Sequence, residues 1–125
     1  MQPASDPLAS TPAPPYWAVV FTSLRATASD GRAEDSEGYE HTAARMVELA
    51  AGQPGYLGHE SARGTDGLAI TVSYWSSHEA IQAWRDHVEH LVAQRLGRER
   101  WYSGYTLRVC RVEGQSAFGE VGPSA

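Results

Sequence analysis

LAITVSYWSSHEAIQAW, Leu68 to Trp84, changes its period halfway along, and that change decides the fold. Its first half is β-branched and aromatic, the composition of a strand packed on a pleated surface. Ser76 followed by Glu79 then forms a capping box, in which a serine oxygen and a glutamate carboxylate satisfy the bare N–H groups of a helix start. Beyond it Ile81, Trp84, Val88, Leu91 and Arg95 recur at spacings of 3, 4, 3 and 4, one face of a helix that Gly97 ends.

Working outward, YLGHESAR (56–63) and the GTDG turn (64–67) make a β-hairpin with LAITVSYW (68–75). Before it, Tyr39, Ala43, Met46 and Ala50 recur at 4, 3 and 4, a helix face stopped by Gly52 and Pro54. YWAVVFTSLR (16–25) carries Trp17, Val19 and Phe21 on one alternating face and Tyr16, Val20 and Leu24 on the other, a strand buried on both sides. YTLRVCRV (105–112) alternates as a last strand. The order βαββαβ predicts an α+β, ferredoxin-like domain, a four-stranded antiparallel sheet with both helices on one face. Two helices cover one face only, and the strands are apolar on both. A second copy packed face to face, a homodimer closing two sheets into a barrel, is therefore expected.

Residues 1–15 hold five of the seven prolines and read as a disordered leader, residues 16–113 as the folded domain, and residues 114–125 as a flexible tail. The long polar turn at residues 26–38 reads as a lid or as an inserted loop. A chain of 125 residues with 42% hydrophobic and 20% charged content builds one core. No apolar run reaches the ~18 residues of a membrane helix. Ten arginines against fifteen acids leave a net charge of −5, which does not suit a phosphate backbone, so neither a membrane nor nucleic acid is an expected partner. Lysine is absent, which removes Schiff-base chemistry. Cys110 is the single cysteine and reads as a small buried residue; with no secretory signal in MQPASDPLASTPAPPY, a reducing cytoplasmic setting is expected. Phosphate loops and the GxSxG elbow are missing.

Taken together, YWAVVFTS (16–23), AARMVELAAGQPGYLGHESAR (43–63), ITVSYWSSHEAIQAWRDHVEHLVAQ (70–94) and RERWYSGYTLRV (98–109) resemble the antibiotic biosynthesis monooxygenase family. The resemblance implies a dimeric α/β barrel with one pocket per subunit between sheet and helices. It also implies oxygen insertion into an aromatic, polyketide-like or quinol molecule without flavin or metal. The expected function is thus a small cofactor-independent monooxygenase acting on an aromatic metabolite. A haem-binding or haem-degrading protein is the alternative, and a non-catalytic small-ligand module a third. In the haem-degrading branch a first-strand asparagine, a tryptophan and a histidine matter. Trp84 stands at the tryptophan's place, Thr22 and Ser23 where the asparagine is expected, and the ligand position falls nearer Gln94 than His87 or His90.

Oxidation without a cofactor needs a base, and histidine titrates in the useful range. His87 and His90, three apart on one helix face, are the candidates, with His87 preferred because it lies a turn from Trp84. Arg85, Arg63 or a tyrosine hydroxyl would stabilise the resulting anion. Trp84, Trp75, Tyr74, Trp101, Tyr102, His59 and Phe21 are the expected pocket walls, although Tyr74 and Trp75 face opposite sides of their strand. The HxxH spacing by itself falls short of a metal site, so no metal is expected.

Overall fold

The computed structural model describes residues 7–26 and 36–119. Four strands and three helices follow in the order β1 (Tyr16–Arg25), α1 (Ser36–Ala51), β2 (Tyr56–Arg63), β3 (Leu68–Trp75), α2 (His78–Arg85), α3 (Val88–Leu96) and β4 (Tyr102–Val112), with a π-helical turn at Gly97–Trp101 before β4. The strands form one antiparallel sheet in the order β2-β3-β1-β4, the ferredoxin-like arrangement that the element order predicts. β1 occupies a central place, which is why large residues stand on both of its faces. Most of the predicted boundaries of these elements are met. β4, however, begins three residues early, because Tyr102 and Gly104 pair with Arg25 and Leu24 across a bulge.

The predicted second helix is broken in two. Asp86 closes α2 with its N–H bonded to the Gln82 carbonyl, and His87 is extended, its Nδ1 accepting from the Glu89 N–H at 3.3 Å. The apolar spacing runs through this break undisturbed, so periodicity cannot register it. The cap of α2 is also Ser77 in place of Ser76: its Oγ accepts from the Ala80 N–H at 3.0 Å.

The register Trp17↔Trp75, Val19↔Ser73 and Phe21↔Thr71 lines these side chains up on the face beneath the helices. There Trp75 is 0% exposed and Ile81 2%, packed with Val19, Ala50 and Trp84 into the core. The Trp75 indole stacks on Trp84 at 6.3 Å, meets the Tyr56 ring edge-on at 5.5 Å, and donates its N–H to Ser73 Oγ at 2.9 Å.

The opposite face is treated differently along its length. At one end, residues 7–15 dock against it: Ala9 is buried and its N–H donates to Glu60 at 3.0 Å, while Thr11 and Pro12 are tied to Gln115 beyond β4. The described part of the proline-rich leader is thus packed, not loose as composition predicts. Its lack of large apolar groups is offset by bonds to polar groups that other elements supply. Residues 1–6 and 120–125 lie outside the described residues, as does most of the polar turn, residues 27–35. At the other end of this face Leu24, Leu68 and Ile70 stay 42–44% exposed. Cys110, expected to be buried, is exposed: it pairs with Ala18 from β4, an edge strand of the sheet. No helix among the described residues is long and apolar enough to cross a membrane.

Gly55 holds the bend into β2 at φ +88°, accepting the Ser76 N–H at 2.8 Å, and a Cβ there would lie 2.6 Å from Ala80 Cβ. Gly55→Ala is expected to cost about 2–3 kcal/mol, combining left-handed strain with overpacking. Urea unfolding checks this as a lower midpoint with an unchanged slope.

Candidate functional site

Between the inner sheet face and the helices lies a cavity of about 230 Å³. Val19, Phe21, Thr71, Ser73, His59 and Leu107 form its floor. Met46 and Ala50 of α1, Ile81, Trp84 and Arg85 of α2, and His90 and Gln94 of α3 form its roof, with Tyr56, Tyr102 and Tyr105 around the edge. Apolar and aromatic walls with few polar groups suit a flat, mainly apolar molecule.

The polar groups are few enough to follow one by one. His90 packs edge-on against Trp84 at 4.9 Å, and its Nδ1 is out of water's reach without a hydrogen-bond partner among the described residues. Burial, and then the nearby Arg85 guanidinium and His87 ring, lower its pKa to about 4. At neutral pH it is therefore an uncharged imidazole beside a guanidinium. Across the cavity, the Tyr56 hydroxyl and His59 Nδ1 are hydrogen-bonded at 2.7 Å, and burial raises the Tyr56 pKa. The Tyr102 hydroxyl is likewise kept protonated, first by burial and then by its bond to Tyr39. Gly97 makes room for this ring: a Cβ there would meet Tyr102 Cε2 at 2.8 Å.

Of the residues singled out in the sequence, His90, Arg85, Trp84, Tyr102, His59 and Phe21 meet on the walls of this one cavity. His87, Trp75, Tyr74, Trp101 and Arg63 do not line it. His87, the preferred base, instead caps α3, its ring 5.6 Å from that of Trp84. Trp75 lies beneath Trp84 in the core. Tyr74 is on the outer face, donating to Glu60, with its pKa raised by burial and by that carboxylate. Trp101 is buried edge-on against Tyr39. Sequence reasoning missed Tyr56, Tyr105 and Ser73 as walls, while Gln94, named for its place in the family pattern, is on the wall. Tyr56 had a signal in the QPGY bend that precedes it, and Ser73 in its alternation with Trp75.

A haem in this cavity would find two imidazoles, His90 on the roof, with Gln94 a turn further along α3, and His59 on the floor, its Nδ1 bonded to the Tyr56 hydroxyl. The first strand does not join them: Thr22 and Ser23 are absent from the cavity walls. Among the described residues no three metal-ligating side chains come together.

The sequence model of antibiotic biosynthesis monooxygenases matches residues 25–96, from the end of β1 to the end of α3 and so across the whole helical roof. A Bacillus subtilis protein, YqjZ, is 50% identical over 115 residues, 92% of this chain and 95% of its own. The chain belongs to the antibiotic biosynthesis monooxygenase family. YqjZ is itself uncharacterized. Among solved structures of similar fold, Rv0793 from Mycobacterium tuberculosis superposes with a TM-score of 0.66 at 12% identity, covering 82% of this chain and 99% of that one. SnoaB, a cofactor-independent oxygenase from Streptomyces nogalater, does so with a TM-score of 0.56 at 17% identity, covering 85% of this chain and 98% of its own. As a family member, the chain carries its cavity in the layer between sheet and helices.

Burial of His90 has a pH signature. Its unfolded pKa is near the ordinary 6.5 and its folded value about 4, so as pH falls below 6.5 the unfolded chain takes up a proton before the native one does. This contribution to stability is constant above 6.5, falls through the window from 6.5 to 4, and levels off below. Thermal unfolding at stepped pH is expected to show the stability difference between wild type and His90→Gln shrinking across that window.

Proposed function

We propose that this protein is a small oxygenase that oxidises an aromatic, quinol-type molecule with O2 and needs no cofactor. The observation that carries this is His90, a neutral imidazole with an unpartnered buried nitrogen on the wall of an apolar cavity. A phenol bound there gives its proton to His90, and because burial lowers the basicity of that imidazole, the transfer depends on the guanidinium of Arg85 on the same wall to stabilise the phenolate. The phenolate then passes one electron to O2. The aryloxyl radical and superoxide combine to form a C–O bond at the ring. Return of the proton gives a hydroperoxide, which loses water to leave a carbonyl. One oxygen atom stays in the product and the other leaves as water, and all four electrons come from the substrate and its C–H bond. SnoaB, a cofactor-independent oxygenase of similar fold, supports this chemistry as one the architecture accommodates.

The homodimer belongs to the same reading. Leu24, Leu68 and Ile70 form an open apolar end of the sheet, which a second copy would cover. Ile70→Glu is expected to shift sedimentation from dimer to monomer, whereas a wild type that sediments as a monomer would remove the dimer from the proposal.

With 1,4-dihydroxynaphthalene as substrate, His90→Ala is expected to lower oxygen uptake above the autoxidation background by about 100-fold or more. His87→Ala should stay within a few-fold of wild type. Equal losses in both variants, or none, would take the base role away from His90. The same imidazole gives haem binding a place as the second reading. A Soret band that forms on haemin addition and is lost in His90→Ala, with no quinol turnover by wild type, would favour it.

A further inference from the structure

Where β1 and β2 end on the same side of the sheet, two arginines converge on one ring. Arg25 Cζ lies 3.8 Å over the Tyr39 ring and Arg63 Cζ 5.3 Å from it, with Arg63 Nη2 donating to the Tyr39 hydroxyl at 3.2 Å. Like charges this close repel, and a cation–π contact offsets only about 0.5–2 kcal/mol. An acidic side chain between them would be the usual remedy. Among the described residues neither arginine has one: the ion pairs there are made by Arg45 and Arg95. Shortage is not the reason, since the chain has fifteen acids for its ten arginines.

Two donors nearby also lack an acceptor. Arg25 Nε and Trp101 Nε1 are buried without hydrogen bonds among the described residues, and Trp101, 3% exposed, packs on Tyr39 at 5.5 Å. Buried donors in native proteins are nearly always satisfied, so the cluster is short of one partner that brings negative charge and acceptor oxygens. Tyr102 joins this cluster to the cavity. It is hydrogen-bonded to Tyr39, and its ring is a cavity wall.

We infer that the Arg25–Tyr39–Arg63 cluster receives a carboxylate carried by the aromatic molecule in the cavity, which makes the ligand class an aromatic acid. A planar carboxylate offers two oxygens to the guanidinium fork while its ring lies along Tyr102 toward Trp84. The inference rests on the cavity being the ligand site, and does not depend on the oxidation step.

Calorimetric titration with 1-hydroxy-2-naphthoate and with its methyl ester tests this. The acid is expected to bind wild type at least tenfold more tightly, and its advantage should shrink as NaCl is raised. Arg63 is exposed, so Arg63→Gln keeps the fold; it should weaken the acid about tenfold and leave the ester unchanged, with Arg63→Lys in between. Equal binding of acid and ester, or the same loss for both in Arg63→Gln, overturns the inference. Tighter binding of 1-naphthyl phosphate than of the carboxylate overturns the choice of anion. Acid-selective binding that Arg63→Gln abolishes, in a protein that oxidises no quinol, upholds it and removes the oxygenase.

Discussion

The indole of Trp75 is the piece on which the other elements are set. It ends β3, immediately before the serines that start the next helix, and it is wholly shut off from solvent. Burying a ring system of this size contributes on the order of 5 kcal/mol, and no other described side chain is as completely enclosed. Because Ser73 satisfies the indole N–H locally, the ring makes no polar demand on the helices and is covered by apolar groups alone. Trp84 stacks on it from α2 and Tyr56 meets its edge from β2. The stack on Trp84 is the contact between sheet and helical roof, and the cavity lies beside it.

Burial of individual side chains sets the state of the polar groups in that cavity. A half-buried imidazole near a guanidinium is stable as the neutral form, at the cost of basicity, so an anion formed beside it must be held by the guanidinium. The tyrosine hydroxyls stay protonated for the same reason of lost solvation. The chain as a whole is acidic, yet the cations Arg85, Arg25 and Arg63 gather on or behind the cavity walls without acidic partners among the described residues. The charge around the pocket thus opposes that of the molecule, which suits the anion that the proposed reaction forms.

The outer sheet face shows the same economy with different means. Where the termini meet, Glu60 takes the Ala9 N–H and the Tyr74 hydroxyl, and Gln115 links the segment before β1 to the one after β4. Segments rich in proline and small residues can dock this way because they offer backbone groups to a partner, not apolar surface. Past them the face is apolar and open, the part that a second copy would cover.

Strand and helix identity was legible because it is local. Period two with β-branched residues from Tyr16 to Arg25, and period 3.6 from Tyr39 to Ala50, hold whatever surrounds them. The sequence by itself thus determined the element order, the sheet and the family, and it named His90, Arg85, Trp84 and Tyr102 among the residues for the site. It preferred His87 to His90, although only His90 lies on the cavity wall, and it could not tell which of Tyr74 and Trp75 turns inward, nor see that the helix breaks at Asp86. Alternation states that two neighbours face apart and helical spacing states that two residues share a side, but neither says which side is dry. Tertiary structure decided that, because desolvation and unpaired charge depend on what the rest of the chain brings to each side chain. The Arg25–Tyr39–Arg63 cluster acquires its chemistry only from neighbours distant in sequence.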